Sequence, residues 1–119
     1  MGTKLKAGTY TAFPVKIDDN NFASISAIEF LFTQTENGDA LKTAYWSRDG
    51  ESRDAVLIEG THNISITFSR DDTYKFKQNA LFYMDTRIHY EDSEYNPITP
   101  IVSLTMNKTL FEEGQEVGP

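Results

Sequence analysis

The side chains able to do chemistry are few, and their spacing is uninformative. Adjacent carboxylates occur at Asp18-Asp19, Asp71-Asp72 and Glu112-Glu113. Neighbours on a strand point to opposite faces, and acid–base dyads are usually assembled from residues distant in sequence. These pairs therefore read as solvated turn acids. His62 and His89 lack the His-x-x-x-His spacing of a metal helix, and no Gly-x-Ser-x-Gly elbow is present. The chain has no cysteine, which excludes thiolate metal sites, a Cys nucleophile and disulfides. Asp18-Asp19-Asn20-Asn21 offers oxygen ligands, but a calcium loop needs a ligand and then a glycine next, where this chain has Phe22 and Ala23. No catalytic residue, cofactor or metal is assigned. The chain is expected not to be an enzyme, with a small hydrolase as the weakest alternative.

Aromatic side chains are the other candidates. Tyr45 and Trp46, with Tyr83, Tyr90 and Tyr95, could stack on the apolar faces of sugars while nearby acids accept hydroxyl hydrogen bonds. Against this, a lone tryptophan in a small β domain is more often a core residue, and Trp46 is weighed chiefly as one. Leu110 and Phe111 are apolar residues in an otherwise acidic C-terminal stretch. They could anchor a strand added to a neighbouring subunit. Possible partner or ligand contacts are thus Tyr45, Trp46, Tyr95, Leu110 and Phe111.

Elements that would position these residues follow from the period-2 pattern. The 119 residues suit one domain, and strand-favouring Val, Ile, Thr and aromatic residues dominate. Strands are predicted over 9–17, 22–34, 41–47, 55–59, 64–69, 80–91 and 101–106. Pro14 marks the first as an edge or bulged strand, because proline cannot donate to a ladder. The stretch 22–34 is apolar in both phases, which suits a central strand or one that changes face through a bulge. Asn37-Gly38 and Asp49-Gly50 are turn dipeptides. Ser69 followed by Asp72 resembles a capping box that opens a short helical turn near 70–76.

About seven strands at this spacing predict an all-β sandwich or barrel. A strand, a short helical corner, a long strand, a loop and a final strand match the E to G elements of an immunoglobulin-like sandwich. The Cys…Trp…Cys hallmark of antibody domains is missing. The predicted organisation is one Ig-like domain over 1–108 and an acidic tail over 109–119.

Charge and hydropathy bound the partners. The net charge is −7, from 18 acids and 11 bases, which argues against nucleic acid. No apolar run reaches the length of a membrane helix, and the first residues, Met1-Gly2-Thr3-Lys4, carry no signal-peptide core.

Several segments resemble small prophage-encoded proteins of Firmicutes. They are Thr9-Tyr10-Thr11-Ala12-Phe13-Pro14-Val15, Ile28-Glu29-Phe30-Leu31-Phe32-Thr33-Gln34, Ile64-Ser65-Ile66-Thr67-Phe68-Ser69-Arg70-Asp71-Asp72-Thr73, Met84-Asp85-Thr86-Arg87-Ile88 and Thr109-Leu110-Phe111-Glu112-Glu113-Gly114. A looser similarity runs to the N-terminal domain of upper baseplate proteins of siphophages. The resemblance implies a tail or baseplate structural module that binds other phage subunits or itself. Such a module would be assembled in the host cytoplasm and then carried in the virion. It transfers no catalytic residues. The alternative function is a carbohydrate-binding or host-surface adhesion module using aromatics near Trp46, with a glycan as ligand.

Overall fold

A computed structural model describes residues 4–19, 21–91 and 99–110. They form eight strands: β1 (Lys4–Lys6), β2 (Thr11–Lys16), β3 (Ile25–Thr33), β4 (Ala40–Ser47), β5 (Ala55–Leu57), β6 (Asn63–Phe68), β7 (Ala80–Tyr90) and β8 (Val102–Asn107). A single 3-10 turn, Phe22–Ser24, leads into β3, and a five-residue helix, α1 (Arg70–Tyr74), joins β6 to β7. No helix among the described residues is long and apolar enough to cross a membrane.

Two sheets result. One has the order β1-β8-β7-β3-β4 and the other β2-β6-β5. In immunoglobulin lettering, β2 to β8 are B, C, C′, D, E, F and G. One sheet is then G-F-C-C′ and the other B-E-D, which is the variable-type layout. The protein is an all-β Ig-like sandwich. The strand count exceeds the expected seven by β1. Its three residues, Lys4, Leu5 and Lys6, carry almost no periodic signal, and they are held by parallel pairing with β8.

The apolar pattern explains the register. β3 lies between β7 and β4, as its two-phase apolar run requires. Ile28, Phe30 and Phe32 face inward and are at most 1% exposed. The β3–β7 register shifts between Ile25 and Ala27, a bulge that returns Ile25 to the core despite its opposite phase.

β2 is an edge strand of the smaller sheet. Ile17 N–H donates to the His62 carbonyl, so odd-numbered residues of β2 point their backbone groups at β6 and even-numbered ones point outward. Pro14 therefore aims its donorless nitrogen at the free edge. It costs no ladder bond and blocks edge-to-edge pairing.

With no cysteine to bridge the sheets, the core is joined by phenylalanines. Phe68 is the hub, with ring centroids 4.9 Å from Phe32, 5.6 Å from Phe13, 6.0 Å from Phe76 and 6.3 Å from Phe82. These rings come from both sheets and from the corner after α1, so edge-to-face and tilted packing joins the layers.

The corner itself is capped as the sequence suggests. Ser69 Oγ accepts from the Asp72 N–H, while the Asp72 carboxylate accepts from the Ser69 N–H. Packing continues beyond β8. Lys108 N–H donates to Asn79 Oδ1, and Thr109 N–H donates to Gln78 Oε1. Thr109 is buried, whereas Leu110 is 90% exposed. The tail beyond Leu110 lies outside the described residues.

Candidate functional site: the outer face of the larger sheet

Alternation along β3, β4 and β7 sends one set of side chains to the core and the other to the outer face. Register brings the outer set into rows. Tyr45, Glu29 and Arg87 lie side by side across β4, β3 and β7, and Thr43, Leu31 and Asp85 form the next row. Between these rows the twisted sheet makes a hollow of about 430 Å³, lined by those six side chains, Arg53 and the backbone between them.

Arg53 reaches the hollow through a local device. It pairs its backbone with Tyr45 in both directions, at 2.7 and 2.9 Å, which closes part of the free edge of β4. Its guanidinium donates to Thr43 Oγ1 at 3.0 Å. On the opposite wall, Arg87 Nη1 lies 3.6 Å from Glu29 Oε2, and His89 Nε2 lies 2.7 Å from the same oxygen. Charges in the lining cancel, two guanidiniums against the carboxylates of Glu29 and Asp85.

The residues singled out in the sequence separate into different environments. Tyr45 is half-buried on the outer face, as is Tyr83 two rows away. Trp46 is 5% exposed and points into the core. There it stacks on Phe22, with centroids 6.0 Å apart, and Arg48 lies over both rings while donating to the carbonyls of Phe22 and Ile25. Phe22 in turn stacks on His62 at 4.4 Å. Trp46 offers no face to a ligand, and a sugar platform centred on it has no surface to use. Tyr90 packs against the core from within. Leu110 is exposed, and Tyr95 and Phe111 fall outside the described residues.

The carboxylate pairs behave as turn acids, with one exception. Asp19 accepts from the Asn21 N–H and bonds the Tyr90 hydroxyl, and Glu112-Glu113 lies outside the described residues. Asp72, by contrast, is largely buried and belongs to an ion cluster. Lys42, on the inner face of β4 and 5% exposed in its side chain, bonds Asp54 Oδ2 at 2.7 Å and Asp72 Oδ2 at 2.8 Å. Its ammonium also lies 5.5 Å from the Phe68 ring centroid. Burial would raise the Asp72 carboxyl. The Lys42 hydrogen bond, the Ser69 N–H and the Lys42 charge outweigh it and hold that carboxyl below the usual carboxylate range. The cluster ties β4 to the corner at α1 and to Asp54, whose φ of 55° is in the left-handed region.

Among the described residues no three metal-ligating side chains converge. Ser26 Oγ–H donates to the His89 backbone carbonyl and not to its ring.

No family model matches the chain, and no curated protein does. Similar solved structures exist. One is a structure of the extracellular domains of the voltage-gated sodium channel beta4 subunit, as parallel homodimers that explain its role in cell-cell adhesion. It shares 12% identity, covers 91% of this chain and 89% of its own, and has a TM-score of 0.46. A second, from work on multimeric cell-adhesive interactions of such beta subunits, shares 13% identity over 92% of this chain and 91% of its own, with a TM-score of 0.47.

Proposed function

We propose that this domain is a protein-interaction module of a phage tail or baseplate, docking a neighbouring structural subunit on the outer face of its larger sheet. It would be assembled in the host cytoplasm and carried in the virion. The observation behind this reading is the make-up of that face. Leu31 and Leu81 are 39% and 51% exposed on it, next to half-buried Tyr45 and Tyr83 and the exposed Arg87. Apolar and tyrosine contacts near arginine are what the cores of protein interfaces favour. Among the described residues nothing covers this face. The smaller sheet differs: its outer face carries Ala12, Pro14, Lys16, Ser65, Thr67 and Val56, with no tyrosine or leucine in the paired rows of that face. The phage assignment is supported by the sequence resemblance.

The test is attachment to virions of the host prophage. Leu81→Arg adds a charge at an exposed position, so the fold should survive while co-sedimentation with virions falls. Val56→Arg, on the outer face of the other sheet, should leave co-sedimentation unchanged. Equal behaviour of the two variants would reject the assigned face.

A further inference from the structure

We infer that the hollow on the outer face is a binding site for a neutral, polyhydroxylated ligand: one or two units of an uncharged saccharide. Protein docking does not require such a site, but the two readings share Leu31, Tyr45 and Arg87, so the ligand is one taken by the free domain, before a subunit covers the face.

Unused hydrogen-bonding capacity carries the first part of the case. Among the described residues, none shares a hydrogen bond with the Tyr45 hydroxyl. Arg53 spends one of its N–H groups on Thr43 Oγ1, and Arg87, 67% exposed in its side chain, makes among the described residues only the loose 3.6 Å approach to Glu29. On the acceptor side, Asp85 takes one bond from the described residues, from the Thr86 N–H to Oδ1. Both described contacts of Glu29 fall on Oε2, leaving Oε1 open. A guanidinium has five donors and a carboxylate about four lone-pair sites, so most of this capacity faces the hollow unspent.

Charge decides the ligand's sign. An anion would gain from Arg53 and Arg87 but would meet Glu29 and Asp85, and a cation would face the reverse. The lining sums to zero, which favours a neutral occupant.

Arrangement decides its chemistry. Arg87 and Glu29 present a donor and an acceptor side by side, and Asp85 and Arg87 repeat that on β7. Vicinal hydroxyls offer donor and acceptor together at one end of a molecule and can bridge such a pair. A peptide backbone sends its N–H and C=O in opposite directions. Leu31 and the Tyr45 ring add apolar surface suited to the C–H face of a sugar. The volume lies within the range of small-ligand sites.

The experiment is an amide NMR titration of the full chain with lactose, maltose and N,N′-diacetylchitobiose as neutral probes. Glucuronate and trialanine serve as the anionic and peptide comparisons. At least one neutral disaccharide should shift the amides of Glu29, Leu31, Tyr45, Arg53 and Arg87 together. Arg87→Ala and Asp85→Asn change exposed side chains and should keep the native spectrum while weakening binding by about tenfold. The inference is overturned if none of the three disaccharides moves those amides, if glucuronate or trialanine binds more tightly, or if neither variant weakens binding. Saccharide binding without virion attachment would count against the docking reading alone, and the reverse result against the hollow alone.

Discussion

Replacing Lys42 with methionine probes the ion cluster that fastens β4 to the corner at α1. Methionine keeps the unbranched side chain as far as Cε and removes the charged nitrogen. Lys42 makes two charge-assisted bonds at 2.7 and 2.8 Å while 5% exposed. Losing one member of a buried ion pair costs about 3–5 kcal/mol, chiefly because the partner charge is stranded. Here the two partners differ: the Asp54 side chain is 44% exposed and can rehydrate, whereas that of Asp72 is 14% exposed and cannot. The lower end of the range, about 3 kcal/mol, is therefore expected. Unfolding entropy for 119 residues is about 0.25 kcal/mol/K, so Tm should fall by about 12 °C. Urea denaturation at neutral pH measures the first quantity and calorimetry the second. Asp72→Asn should cost clearly less in the Lys42→Met background than in the wild type, because there it removes a stranded charge. The pH dependence has a fixed sign. The folded Asp72 carboxyl is held low by Lys42 and Ser69. Its contribution is thus present above the unfolded value of about 3.9 and is lost as pH falls through the folded one. The gap between wild type and Lys42→Met should close below that window. A cost under about 1 kcal/mol, the level of exposed pairs, or an equal effect of Asp72→Asn in both backgrounds, would refute the buried-cluster argument.

Other perturbations reach different parts of the fold. Phe68→Ala removes the hub of the phenylalanine cluster and should cost about 3–5 kcal/mol in urea unfolding, more than the same change at a residue with fewer ring neighbours, such as Phe22. Ser69→Ala removes the cap at α1 and should cost about 0.5–2 kcal/mol. Gly8→Ala should destabilise more than an ordinary loop change. Its φ is +77°, and a Cβ there would come within 2.6 Å of the Tyr74 hydroxyl. Trp46, buried among Phe22 and Arg48, should emit at short wavelength and resist iodide quenching in the native state, whatever sugar is added.

Much of the fold was legible because period-2 alternation and turn chemistry act locally. The stretch 80–91 was found as a strand, whose Phe82, Met84 and Ile88 are buried in one phase, and Ser69 with Asp72 located the capped corner. Pro14 marked the edge strand through its missing donor. β1 escaped because three residues hold no period and its pairing partner lies a hundred residues away, at Thr105 to Asn107. Lys42 escaped because a charge in a strand suggests solvent. Its phase with Ala44 and Trp46 was the available sign that it points inward. The hollow as a whole was not legible. Tyr45 stood out as an aromatic, but Glu29, Arg53, Asp85 and Arg87 are unremarkable singly, and the set meets only after β4, β3 and β7 pair in one register. Trp46 drew attention by its rarity, and burial has made it part of the core.

The most direct test of the docking claim compares the two sheet faces within one assembled virion. A photo-reactive amino acid placed at Leu81 or at Val56 reports which face meets a neighbour. Both side chains are exposed in the isolated domain, at 51% and 63%, so reactivity alone does not favour either. Cross-links from Leu81 to an identified virion structural protein, with none from Val56, are the predicted result. Cross-links from Val56 and none from Leu81 would contradict it.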